Sequence, residues 1–306
     1  MMGQKRNPAP AATGGLAVWE AVYADPARGF IDAMNAAGLA PHDPGAIVAD
    51  GRLHRYRAEG DKHGTANGWF VLHLDGIPSG AFGSWKAGFS STWCARNRAD
   101  LSPGERADLA RRIEKARAER DAEQRRRHAN AEARAADLWA KSRPADPQHH
   151  YLARKRVKPH GARQLGTRLV LPVTTLAGEL KSLQFIDSDG TKMLLSGGRK
   201  RACCIVVADP PTPWRVLLCE GFATGASLAE ADPSARVLSA IDAGNLVPVA
   251  LAARERWPDA DIVIAGDADE VGRRAAHAAA RAARALVLLP EVEGADWNDL
   301  AAGRLE

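Results

Sequence analysis

Residues 262–276 read IVIAGDADEVGRRAA: four apolar residues, Ile262 to Ala265, then two carboxylates one residue apart, Asp267 and Asp269, then an alanine-rich stretch with helical spacing. A short, wholly apolar run that turns into an amphipathic pattern predicts a buried parallel strand feeding a crossover helix. Three more runs in the last hundred residues obey the same grammar, WRVLLCEG (214–221), ARVLSAID (235–242) and ALVLLP (285–290). Between them lie the helical patterns TGASLAEA (224–231), NLVPVALAARERW (245–257) and GRRAAHAAARAARA (272–285). The alternation predicts an α/β domain of Rossmann-like type, a four-stranded parallel sheet with right-handed crossovers.

In such sheets chemistry gathers beyond the carboxyl ends of the strands, where the strand order reverses. If the second strand lies on one side of the first and the third on the other, Glu220, which ends the first run, meets Asp267 and Asp269, which end the third. Asp296 and Asp299 of GADWNDL (294–300) follow the fourth run. Uncompensated carboxylates in one crevice repel, so they either hold protons or surround cations. Magnesium fits such a set, because it takes hard oxygen ligands, keeps waters, and is commonly held by one or two carboxylates together with substrate phosphates. A pair of such ions can activate both the attacking and the leaving oxygen of a phosphoryl group. Taken singly, an Asp after a strand is equally a helix cap.

The rest of the chain sets limits on the function. With 306 residues, 45% of them hydrophobic, it can bury a sizeable core, and its length suggests two domains. No run approaches the roughly 18 apolar residues of a membrane span, and the N-terminus has no hydrophobic segment of signal-peptide length, so a cytoplasmic protein with no membrane partner is expected. Cys94, Cys203, Cys204 and Cys219 form no CxxC pair, which argues against a zinc ribbon or a disulfide framework; Cys203 and Cys204 read as buried strand positions. The net charge of +5 is divided along the chain: residues 96–168 carry 20 Lys and Arg against 10 Asp and Glu, whereas residues 205–306 carry 9 against 16. The first segment invites polyanions such as nucleic acid and the second invites cations, although a basic helix face can also be mere solvated surface.

Composition divides the chain into a disordered tail (1–15), a small α+β, β-rich N-terminal module (16–100), a charged helical linker (101–145), an α+β subdomain (146–210) and the α/β domain (211–306). Within the module a helix is expected over 16–38, and hairpins over GWFVLHLDGIPSGAFGSWKAGFSSTW (68–93). Trp69, Phe70, Phe82, Trp85, Phe89 and Trp93 are six of the fourteen Phe and Trp of the chain. They either fill the core of a small β domain or stack on single-stranded bases.

CEGFATGASL (219–228), GDADEVGRRAA (266–276) and GADWNDL (294–300) resemble the three stations of the Toprim domain in bacterial, plasmid and phage primases. HHYLARKRV (149–157) and LVLPVTTLAGELKSLQFIDSDGTKMLLSGG (169–198) are similar to the segment that leads into Toprim there, and EGDKHGTANGWFVLHLDGIPSG (59–80) more loosely to the N-terminal module of conjugative-plasmid primases. The resemblance implies a DNA primase that copies single-stranded DNA from ribonucleoside triphosphates with magnesium or manganese, without the usual zinc module, alongside a separate replicative helicase. It implies that Glu220 is the acid/base or metal-linked glutamate, that Asp267 and Asp269 are metal ligands, and that Asp296 completes a second ion site, where Asn298 replaces the further acid of many relatives. Arg154, Lys155, Arg156, Lys158, Lys192, Arg199, Lys200 and Arg201 fall where the family places template and nucleotide phosphates. A non-catalytic Toprim-fold DNA-binding accessory protein and a Toprim nuclease are the alternatives. A haloacid dehalogenase-type phosphatase fits poorly, since it would carry its DxD after the first strand with a Thr where Val271 stands. A topoisomerase fits poorly as well, since Tyr23, Tyr56 and Tyr151 all lie outside the acidic domain.

Overall fold

The computed structural model describes residues 25–303; the tail expected at 1–15 and the first part of the helix expected over 16–38 lie outside them. The chain divides into two units, the boundary falling between Gln124 and Arg125.

In the first unit, helix α1 (Pro26–Ala36) starts at Asp25, whose carboxylate accepts the Arg28 amide at 3.1 Å, with proline at the first position. It lies against an antiparallel sheet in the order β1 (His54–Tyr56), β2 (Gly68–His73), β3 (Ser79–Ser84), β4 (Phe89–Cys94). Phe30, Met34, Tyr56, Phe70, Leu72 and Phe82 form the core, with Phe30 meeting Phe82 edge to face at 5.5 Å. Trp69, Phe70 and Phe82 are therefore packing residues, whereas Phe89 stands exposed on the edge strand β4. The SPGE start (102–105) of the long helix α2 (Pro103–Lys141) is a capping box: Glu105 donates its amide to Ser102 Oγ at 3.3 Å and its carboxylate accepts the Ser102 amide at 2.7 Å. Small side chains let this charged helix pack closely, and in the first unit Ala116 buries itself against Trp69, Val71 and Ala81.

In the second unit, Ala135 of α2 packs on Val170, Leu183 and Leu195 of an antiparallel sheet in the order β5 (Arg143–Pro144), β6 (Arg163–Leu165), β7 (Arg168–Thr174), β8 (Leu180–Ile186), β9 (Lys192–Leu194). Helix α3 (His150–Lys155) ends at Arg156 in the left-handed region, φ 55°. The second sheet runs β10 (Ile205–Ala208), β12 (Arg236–Ser239), β11 (Val216–Cys219), β13 (Ile262–Ala265), β14 (Leu286–Leu288), interleaved with α4 (Phe222–Ala231), α5 (Ala243–Arg256), α6 (Glu270–Ala283) and α7 (Trp297–Ala301). Strands β12, β11, β13 and β14 are mutually parallel, and β11 lies between β12 and β13, so the order reverses there.

This sheet has one strand more than the four expected. β10 pairs antiparallel with β12, and its run of residues reads locally like the end of the preceding subdomain. Which sheet a strand joins is decided by its hydrogen-bond partners rather than its own pattern. Thr174 and Cys204 exchange amide-to-carbonyl bonds of 2.9 Å just before β10, so the same segment also touches β7. Cys219 is buried at the end of β11, whereas Cys203 and Cys204, expected in a strand, are buried just before β10, and burial pushes the Cys204 thiol up to about 12, far from reactive thiolate chemistry. No helix among the described residues is long and apolar enough to cross a membrane.

Candidate active site

The register of β11 on β13 sets Cys219 beside Ala265, so both chains leave the sheet at the same level. Glu220 and Asp267 follow within two residues of those ends. The loop that carries Asp267 is held by backbone bonds: Ala268 donates to Ala295 at 2.9 Å and Gly294 donates to Ala268 at 3.2 Å, which draws the loop before α7, and with it Asp296, to the same place. Trp297 adds an indole bond of 3.1 Å to the Gly266 carbonyl. Gly272 lets α6 come close, since a Cβ there would stand 2.7 Å from the Asp267 carbonyl oxygen and 3.0 Å from its Cβ. Gly272→Ala should cost about 1–3 kcal/mol as overpacking and lower the thermal midpoint; an unchanged midpoint would show that the contact is not tight.

Four of the predicted acids converge. Asp267 is half-buried, its Oδ1 is enclosed without a hydrogen-bond partner, and its carboxyl is pushed from the ordinary 3.8 to about 7. Burial is the largest cause, followed by the charges of Glu220, Asp296 and Asp269, with Lys192 acting in the opposite sense. Glu220 is raised too, first by burial and then by Asp242 and Asp269, against Lys192 and an amide bond from Ala243. Asp269 spends Oδ1 on the Gly272 amide at 2.6 Å as the N-cap of α6. Asp296 caps α7 in a box with Asp299 and lies 3.7 Å from the Lys155 ammonium.

The predicted cations divide. Lys192, on β9, reaches the acids, its Nζ lying where a Gly221 Cβ would meet it at 3.4 Å. Lys155 joins through Asp296, and Lys200 joins through Asp242 at 2.6 Å. Arg156 instead gives its guanidinium to the Ala302 carbonyl at 2.6 Å, and Arg154 lies over the Tyr151 ring at 5.8 Å beside the turn at Gly190. Lys158 is exposed, with its amide on Glu230 at 2.8 Å; Arg199 is half-buried, its guanidinium 3.4 Å from the Arg201 carbonyl, and Arg201 is exposed. Asn298 is 1% exposed and donates to the Lys155 carbonyl at 2.7 Å and to Ser227 Oγ at 2.9 Å, which is a fastening role.

Asp242 is the acid that the sequence reading passed over. It sits at the N-cap of α5, where an aspartate looks like a plain cap, yet its carboxylate makes no cap bond and turns to Lys200. Among the described residues no three carboxylate, imidazole or thiol side chains form a ready-made metal cage. An enclosed, unpartnered carboxylate oxygen among three further carboxylates nonetheless fits a hard divalent cation that completes its shell with waters and substrate phosphates.

Comparison with known proteins gives the chain its relatives. The Toprim domain family matches residues 215–305. The chain is 32% identical over 286 residues to a DNA primase TraC of Escherichia coli, covering 87% of this chain and 19% of that protein. A second DNA primase TraC of Escherichia coli is 32% identical over 261 residues, covering 79% of this chain and 24% of the relative. The chain thus spans about a fifth to a quarter of the length of these curated relatives. Among solved structures, the primase fragment of the bacteriophage T7 primase-helicase aligns with TM-score 0.43 and 16% identity, covering 54% of this chain and 72% of the fragment.

Proposed function

We propose that this chain, a Toprim-domain protein related over most of its length to plasmid DNA primases, makes short RNA primers on single-stranded DNA by metal-dependent nucleotidyl transfer. The observation that carries this reading is Asp267 Oδ1: enclosed, without a donor, and close to the charges of Glu220, Asp269 and Asp296 at the strand-order reversal. Lys192 offsets that repulsion only in part, and a substrate-linked cation would offset the rest.

Asp267 and the free Oδ2 of Asp269 would hold magnesium or manganese. When bound, the ion neutralises charge on the attacked α-phosphate and makes the 3′-hydroxyl more acidic. Glu220, with its raised carboxyl, accepts the proton of that hydroxyl at a carboxylate oxygen. Lys192 meets the phosphates of the incoming ribonucleotide from the opposite wall. Asp296 is answered by Lys155, so a second ion there requires that ammonium to turn to a phosphate. The exposed Arg154 and Lys158 lie on the path of the template backbone, where basic side chains position without reading sequence.

Incubation of the chain with single-stranded DNA and labelled ribonucleotides tests the proposal. Incorporation supports it; shortening of the DNA would make the chain a nuclease, and binding alone would make it an accessory protein. Log affinity for single strands should fall linearly with log salt at about −0.7 per phosphate neutralised, so four to six contacts give a slope of roughly −3 to −4. Replacing Arg154 and Lys158 together with Ala should flatten that slope by up to about 1.4 on the same basis. A slope that does not move would take both residues off the template path.

A further inference from the structure

We propose that Asn245 is a positioning residue that sets Lys200 on the rim of the acidic site, where Lys200 exchanges Asp242 for a phosphate of the incoming ribonucleotide. The inference rests on the primase reading for the identity of that phosphate, and on geometry for the rest.

Asn245 is 1% exposed, an unusual burial for a primary amide, and it is fully engaged. Its Oδ1 accepts the Ala202 amide at 3.1 Å, and its Nδ2 serves the carbonyls of Lys200 at 3.1 Å, Cys203 at 2.9 Å and Ala240 at 2.9 Å. Three of those partners belong to one turn, residues 200–203, and the fourth, Ala240, directly follows β12. One side chain thus fixes the basic turn to the sheet that carries the acids. The turn needs the grip, since Ala202 is held at φ 56°, a conformation an alanine rarely adopts unaided.

The other end of the device is the junction between β12 and α5. Ile241 is buried at φ 80°, a strained setting for a β-branched residue. Beyond it the usual duties at a helix start are exchanged. Asp242 occupies the cap position without capping, and its carboxylate goes to Lys200 at 2.6 Å. Lys200 therefore neutralises an acid whose charge acts on Glu220. An ammonium so placed has its backbone fixed by Asn245 and only its terminal group free to change partner. Strain kept at a strand end beside the chemistry is the pattern of a preorganised site.

The test is a double-mutant cycle on the full chain with Lys200→Ala, Asn245→Ala and both together. Primer synthesis and titration with fluorescent ATP are read side by side. Each single change should weaken ATP binding and raise KM for ribonucleotides about tenfold, the size of one charge-assisted hydrogen bond, with kcat affected less. The double variant should be no worse than Lys200→Ala alone, because Asn245 acts through Lys200. If the two losses multiply, or Asn245→Ala lowers kcat and leaves ATP binding intact, Asn245 is only a structural residue and the proposal falls. Should Asn245→Ala fail to fold, Asp242→Asn takes its place: it frees Lys200 without touching the core, and tighter ATP binding is then expected, while unchanged binding overturns the exchange. A parent chain that makes no primers but shows the predicted ATP cycle removes the primase reading and leaves the positioning role standing.

Discussion

Asp267→Asn should reduce primer synthesis by at least about a thousandfold, because several kcal/mol of charge stabilisation depart with the ion it holds, and should at the same time raise the thermal midpoint of the metal-free protein at pH 8. The second effect follows from the raised carboxyl. In the fold the carboxyl titrates at about 7 instead of 3.8, so between those values the unfolded chain ionises it readily and the folded chain resists. The cost to the fold grows as pH rises from about 4, is fully present above about 7, and disappears below the unfolded value. Asparagine escapes it. The stabilisation by Asp267→Asn should therefore be largest at pH 8, smaller at pH 5 and absent near pH 4, measured in the presence of a chelator. Magnesium should raise the midpoint of the parent and not that of the variant. A variant that melts below the parent at pH 8 would show that the fold does not raise this carboxyl.

Lys192→Met should also impair synthesis, by about tenfold to a hundredfold, the range of one charge-assisted hydrogen bond to a phosphate, but with the opposite effect on stability. Lys192 is the cation that works against the raised values of both Glu220 and Asp267. Without it both carboxyls rise further, the cost of ionising them at pH 8 grows, and the metal-free midpoint falls. At pH 5 the loss should shrink, because Asp267 is then largely protonated in the fold. Two variants that both lower activity and move the midpoint in opposite directions identify an electrostatic site, since a generally disturbed fold would lower both. Equal midpoints for Lys192→Met and the parent across this pH range would remove Lys192 from the acidic crevice.

The sequence made the acidic core readable because strand ends can be counted. VLLC and IVIA are wholly apolar, so the residues after them leave the sheet at its carboxyl edge, and Glu220 and Asp267 needed no further information. Asp296 was readable from its place after the fourth run. Three things had no local signature. Asp242 looks like any helix cap, and only the missing cap bond and its contact with Lys200 reveal a different task. The division of the basic residues between the site and the outer surface depends on which way each turn faces, and HHYLARKRV fixes no direction for Lys155 against Arg156. The left-handed conformation at Arg156, a residue that rarely adopts it, separates the two. The amides of Asn245 and Asn298 act across 42 and 143 residues of chain, distances over which no sequence periodicity speaks.

The edge strand β10 bears on how this protein can be cut. The recognised family segment begins at residue 215, after Ile205–Ala208, so a fragment trimmed to that segment leaves its outermost partner behind. Strand β12, RVLS, would then carry a row of unpaired backbone groups on an apolar sheet, a template for association with other copies. Such a fragment should aggregate at concentrations where one beginning at Arg125, the start of the second unit, which keeps β5 to β9, the Thr174 to Cys204 bridge and β10, stays monomeric in size-exclusion chromatography. The border that a family model draws around a domain and the border at which its sheet is closed are different borders, and in this chain they lie about ten residues apart.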